Sequence, residues 1–237
     1  SAAITLESNS NNNSITSNTI NSSIGNCNAA FGIYLTSSTY NNIISNNITS
    51  QYYGFYIISS SSNNKIENNT NNITGGGEGM VVSWTQGSSG MYVYSSHNNS
   101  ITSNTVINSG TGIFIRESLN NSLSNNQVNT SRQSYLVYGT TQAHYNQSID
   151  SSNLAEGKPV NYTFNGQNLV FSNINDTYGQ IICGWCNNIT YDNIRINESD
   201  CINLFYTSNS TISNSLINTS KGYGIYLNQI SLNNEIN

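Results

Sequence analysis

Residues 12–20 read NNSITSNTI, and the phrase returns as YNNIISNNI at 40–48, NNSITSNTV at 98–106 and NNSLSNNQV at 120–128. A second phrase interleaves with it, a glycine followed by alternating large residues: GIYL at 32, GFYI at 54, GMYV at 90, GIFI at 112 and GIYL at 224. Positions 90, 112 and 134 are 22 apart, and the phase continues through 157, 179, 201 and 224 at intervals of 22 or 23. Self-similarity at such a period marks a solenoid, in which each coil buries its apolar side only by stacking on its neighbours.

The fourth residue of the glycine phrase is aliphatic coil after coil: Leu35, Ile57, Val93, Ile115, Val137, Val160, Ile182, Leu204 and Leu227. Alternation over four residues indicates strands rather than helices, so this column is expected to point inward. Asn18, Asn46, Asn69, Asn104, Asn126, Asn193 and Asn214 recur at a turn in the other half of each coil. Stacked Asn side chains hydrogen-bond to one another and tolerate left-handed backbone. The expected fold is all-β, a right-handed parallel β-helix of about 22 residues per coil and roughly ten coils. At an inter-strand spacing of about 4.8 Å this gives a rod about 50 Å long. One domain covers residues 1–237, with Asn-rich repeats over 1–140, a distinct segment over 141–196 and Asn-rich repeats over 197–237. Two insertions break the period, one at 79–90 with Trp84 and one, SSIGNCNAA, before Phe31. Insertions into a solenoid emerge as loops on one side.

Solubility rests on neutral groups. Asn supplies 46 and Ser 39 of the 237 residues, while 7% are charged and one is proline. The six basic residues are dispersed from Lys65 to Lys221 in a chain of net charge −5, which offers no footprint for nucleic acid. No apolar run reaches membrane-spanning length, and SAAITLES lacks the regions of a signal peptide.

Within residues 149–196, Gly157, Lys158, Pro159, Val160 and Tyr162 are followed by Cys186, Asn188, Ile189, Thr190 and Asn193. This resembles the NosD-like parallel β-helix proteins of archaea and some bacteria, in which a GKPVYY-type phrase leads to a CxNITxxN phrase. The resemblance implies an exported or cell-surface protein from a broad group of sugar-binding and carbohydrate-active β-helices, some of which carry a copper-binding label. No copper-ligand motif maps onto this sequence, so neither a catalytic nor a metal residue is carried over.

The residues themselves offer four candidate features. Cys183 and Cys186 form a CxxC at a corner, open to a local disulfide, a structural buried pair, half a metal site or redox chemistry. Cys27 and Cys201 do not align with them. Asp176 and Glu198 lie 22 apart and are expected to stack on adjacent coils, with Asp200 two residues on; stacked carboxylates would take Ca²⁺ or, with one protonated, act as an acid and nucleophile pair on a glycoside, and a solvated corner is the plainer reading. Fifteen Asn-x-Ser/Thr sequons occur, and Asn98, Asn120, Asn129, Asn146, Asn161, Asn175, Asn188, Asn197, Asn209 and Asn218 are candidates for glycosylation, against a composition that makes sequons by chance. Tyr34, Tyr56, Tyr92, Phe114 and Tyr226, with Tyr94, Tyr138 and Phe205 further along, form an aromatic column expected on the outer face. Such a column suits sugar rings or a lateral protein contact, and equally an ordinary strand surface.

Three functional readings follow. The first is an extracellular or cell-surface structural glycoprotein, adhering or associating end to end, since AITLES and NNEIN read as coils cut in mid-turn. The second is a carbohydrate-binding protein or enzyme, and the third a metal accessory factor. Titratable groups are too sparse in any one column to favour catalysis.

Overall fold

The computed structural model describes residues 2–22, 30–75, 88–197, 200–219 and 221–237. Cys27, Trp84 and Glu198, with residues 23–29 and 76–87 of the two insertions, lie outside the described residues. The chain is an all-β solenoid of about nine coils, and its helical content among those residues is one 3₁₀ turn, Gln142–Tyr145.

The glycine phrase forms one sheet. Strands Ala2–Leu6, Phe31–Thr36, Tyr53–Ile58, Ser89–Tyr94 and the distal halves of Thr105–Arg116 and Gln127–Tyr138 pair in parallel, placing Leu35, Ile57, Val93, Ile115 and Val137 in one column. All five are at most 1% exposed. The glycine is required because the strand enters beneath its neighbours: a Cβ on Gly112 would overlap Val128 and the Ser134 carbonyl. The Asn phrase forms two shorter runs, such as Asn42–Ile44 and Asn47–Ser50, each paired with its counterparts one coil away. Ile15, Ile43, Ile66, Ile101 and Leu123 face the same interior.

Two amide ladders, exposed at Asn13 and Asn18 and buried from Asn41 and Asn46 onward, hold the corners. Asn13, Asn41, Asn64, Asn99 and Asn121 lead to Gln147, and Asn18, Asn46, Asn69, Asn104 and Asn126 lead to Asn153. At each step the backbone N–H and Nδ2 of one residue donate to the side-chain oxygen of the next, at 2.8–3.3 Å. A serine ladder, Ser38, Ser61, Ser96 and Ser118, works likewise at a third corner. Left-handed backbone falls one residue before the second amide ladder, at Ser17, Ser45, Asn68, Ser103 and Asn125. Asn193 and Asn214, expected in that ladder, instead take the left-handed position themselves and are exposed; the half-buried Ser215 serves as the acceptor, for the N–H of Ile194.

The solenoid then turns. Glu156 and Gly157, both at positive φ, reverse the chain so that Lys158–Phe164 runs antiparallel to Leu154–Ala155. A second stack follows, with Lys158–Phe164, Gln180–Gly184, Ile202–Phe205 and Ile225–Asn228 in one sheet. Val170–Asn175, Thr190–Asn197, Thr211–Ser213 and Glu235–Ile236 form another. Successive coils of this stack meet successive residues back along Gln127–Tyr138. Gln180 exchanges two hydrogen bonds with the Tyr135 backbone, Asp200 accepts from the Ser134 N–H, Gln133 donates to Asn203, and Gly222 lies against Arg132. The second stack therefore lies across the end of the first, and the continuous straight rod expected from the period is replaced by an elbow. The expected ladder changes accordingly. Val160 and Ile182 are buried, but against the first stack's interior together with Tyr145 and Phe205, while Ile181, Cys183, Ile202 and Leu204 fill the second interior.

Candidate functional site

The aromatic column is built by register. Tyr34, Tyr56, Tyr92 and Phe114 occupy one position on four paired strands. Rings at that spacing stack on one another: Phe31 on Tyr56 at 4.6 Å, Tyr56 on Tyr92 at 5.3 Å, and Tyr92 edge-on to Phe114 at 5.2 Å. The expected open aromatic face is thus corrected. Tyr92 and Phe114 are each only 6% exposed, and ring faces are spent on neighbouring rings. Burial raises the Tyr56 and Tyr92 hydroxyls above their ordinary pKa, and neighbouring tyrosines add to this. Arg116 lies over the rings of Tyr94 and Tyr138, at 5.2 and 5.8 Å, with Glu117 3.5 Å away. Phe205 is fully buried between Tyr145 and Tyr226, and Tyr226 also stacks on Tyr223.

Asp176 and Asp200 do not converge. Asp176 accepts from Lys158 Nζ at 2.7 Å and from the Asn197 N–H, and the lysine holds its carboxyl below the usual range. Asp200 is fully buried and faces the first stack, and burial pushes it up to about 6. With Asp176 in an outer ion pair and Asp200 engaged at the inter-stack junction, these two are not brought together, and Glu198, whose spacing was expected to stack it on Asp176, lies outside the described residues. Among the described residues no group of three or more His, Cys, Asp or Glu is placed to hold a metal. Both histidines are used in turns: His97 Nδ1 accepts from the Leu119 N–H, and His144 Nδ1 from the N–H groups of Thr140 and Thr141.

Cys183 and Cys186 are joined in a disulfide inside the second interior. It closes a corner at which Trp185 takes φ 57° and stacks on Tyr206 at 4.5 Å. Cys201 is a free buried thiol, pushed up to about 12 by burial.

Of the glycosylation candidates, Asn98, Asn120, Asn129, Asn146, Asn175, Asn188, Asn209 and Asn218 are exposed and Asn161 and Asn197 half-buried. At Asn98 and Asn120 the sequon reads across a ladder residue, Asn99 or Asn121, with Asn and Ser on either side of it facing out. Much of the sequon pattern is therefore the grammar of the corner. Asn188, Asn209 and Asn218 also donate their Nδ2 to an Asn one coil away, the atom a glycan would require.

The buried polar junction between the stacks was not anticipated from the sequence. Gln133, Ser134, Gln180, Asp200, Cys201 and Asn203 meet there across separations of up to 70 residues, with no local pattern to mark them.

Residues 2–75 match the family described as periplasmic copper-binding protein (NosD). Over that stretch the chain is NosD-like, which agrees with its parallel β-solenoid. The match falls on the Asn-rich coils rather than on the 149–196 segment. No curated protein and no solved structure matches the chain. The donor set does not fit copper, which favours thiolate, thioether and imidazole ligands. Residues 2–75 contain no His or Met, one Cys (Cys27) and two acids, Glu7 and Glu67, of which Glu67 pairs with Lys65 at 2.6 Å.

Proposed function

We propose that the chain is a structural β-solenoid of the periplasm or cell exterior, a scaffold that presents a surface or a length rather than a reaction centre. The observation that carries this reading is where the polar side chains go. Buried amides and hydroxyls close ladders along the axis, both histidines accept from backbone N–H groups, and of the four ion pairs among the described residues Lys158–Asp176 and Lys221–Glu156 tie separate segments while Lys65–Glu67 and Arg116–Glu117 are local. A catalytic centre needs titratable groups in mutual reach around a shared space, and this arrangement spends them on the frame. The family's periplasmic description and the disulfide both suit an oxidising compartment. Adhesion or filament formation and partial glycosylation at the exposed sequons are the finer forms of this reading.

Polysaccharide co-sedimentation tests it against sugar binding. A scaffold gives no retention, or retention that Tyr92→Ala and Phe114→Ala leave unchanged. Retention abolished by both variants, with folding intact, would transfer the assignment to a carbohydrate-binding face.

A further inference from the structure

Three segments far apart in sequence bring a lysine, an asparagine and a glutamate together where the two stacks meet. Lys221 Nζ lies 2.6 Å from Glu156 Oε2 and 3.5 Å from Asn129 Oδ1. The Glu156 side chain is 9% exposed and that of Lys221 20%. Each is held by its own surroundings. Glu156 donates its N–H to the Val128 carbonyl at 3.0 Å, and its Oε1 accepts from the Thr130 N–H at 2.8 Å, so the two bonds bracket Asn129. Lys221 stands in a turn closed by Thr219, whose Oγ1 accepts from the Lys221 N–H at 3.0 Å, and by Gly222, at φ 67° against the Arg132 backbone. The carboxylate therefore touches the amine and is fixed to the main chain on either side of the carboxamide. Lys158 meets instead a carboxylate, Asp176, and a main-chain carbonyl, that of Asn197.

We propose that Lys221 and Asn129 form an intramolecular isopeptide bond, assisted by Glu156, that staples the second stack covalently to the first. Such a step needs a nucleophile, a base within hydrogen-bond reach of it and an electrophile beside both, all held by the fold rather than met by chance. Glu156 takes a proton from the Lys221 ammonium, and the freed lone pair bonds to Asn129 Cγ. Glu156 then hands that proton to Nδ2 and takes a second from the attacking nitrogen. The Cγ–Nδ2 bond breaks, and ammonia leaves with the second proton as an ammonium ion. The net change exchanges an ammonium and a carboxamide for a secondary amide and an ammonium ion, with no oxidant or reductant. Asn129 is exposed, which gives the leaving ammonia a way to water. It is also the asparagine of a sequon, and a glycan and the cross-link both require its Nδ2, so each excludes the other. The reaction occurs once per chain and adds to the frame, so the inference holds whatever the solenoid is a scaffold for.

Mass spectrometry of the purified, reduced chain tests it. The expected mass is lower than the sequence requires by one ammonia, and trypsin should leave Lys221 uncut and yield residues 117–132 joined to residues 196–237 in one branched peptide. Glu156→Gln and Lys221→Arg are each expected to restore the full mass, with circular dichroism checking that they fold, while Lys158→Arg keeps the loss. If the variants do not fold, the peptide map of the unaltered chain decides the matter alone. The full sequence mass, a glycan on Asn129, a loss of ammonia that maps to cyclisation at Asn165–Gly166 with Lys221 still cut, or a branch that persists in Glu156→Gln would overturn the proposal.

Discussion

Two buried asparagines in neighbouring columns should respond to replacement in opposite directions. Asn104 donates through Nδ2 to Ile66 O, Thr102 O and Asn126 Oδ1, and its own oxygen accepts from Asn69. Asn104→Ala leaves several of these groups unpaired in the interior and should cost on the order of 2–4 kcal/mol in urea denaturation. Asn71 sits inward between Ile48 and Val106, fully buried, with neither amide atom hydrogen-bonded among the described residues. Asn71→Ile restores the aliphatic column and should stabilise by about 1–3 kcal/mol, the usual penalty for a buried unpaired amide. A loss of stability there would mean that Asn71 is satisfied by something the protein atoms alone do not supply. Ile115→Asn reverses the logic, burying an amide between Val93 and Val137, and is expected to cost about 3–5 kcal/mol. Tyr34→Ser, at a half-buried ring in contact with Phe31 and Tyr56, should cost clearly less in the same experiment.

At the level of the strand, the junction between the stacks makes stability depend on pH. Burial holds the Asp200 carboxyl up to about 6 against an ordinary 3.8, so between those values the folded chain keeps a proton that the unfolded chain has lost. The contribution of this one group is then fully present at about pH 4 and is lost as pH rises to about 6, by roughly 3 kcal/mol in total. Asp200→Asn keeps an acceptor for the Ser134 N–H and should flatten that slope, as thermal melts across the range would show. The same strands mark where the sequence is legible. Leu35 through Val137 could be read as inward because aliphatic side chains fall on one face of the sheet and aromatic rings on the other. In Gln180–Gly184 and Ile202–Phe205 the sheet is buried on both faces, so alternating positions no longer separate core from surface: Ile181 and Ile182 are adjacent and face different interiors. A period of 22 or 23 still runs through such letters, but it no longer tells which face a residue serves. The junction is illegible for another reason, since Gln133 and Asn203 meet across 70 residues with nothing repeated around them. The aromatic column was legible in register for Tyr34, Tyr56, Tyr92 and Phe114 but not for Tyr226, which pairs with Asn203, and it was misread in exposure because stacked rings bury one another.

On the scale of the whole molecule, the elbow gives the first stack an end that needs no further coil. Gln180 and Asp200 satisfy the backbone of Tyr135 and Ser134, which would otherwise stand as an open sheet edge. Gln180→Ala is therefore expected to loosen the joint before it unfolds either stack, which hydrogen exchange would register as lost protection at Tyr135 with Ile57 and Val93 unchanged. The amide ladders carry a different implication. Each coil presents the same oxygen to the level before it and the same pair of donors to the level after, so a coil does not know which number it bears. Removing residues 93–114 would join Tyr92 to Ile115, the register partner of Val93, and return every ladder to a valid neighbour. Such a shortened chain should still fold, and a duplicated coil should be accommodated as readily. The gene for a solenoid of this kind can lengthen or contract by whole turns through slippage between its own repeats, so that size becomes a heritable variable uncoupled from fold.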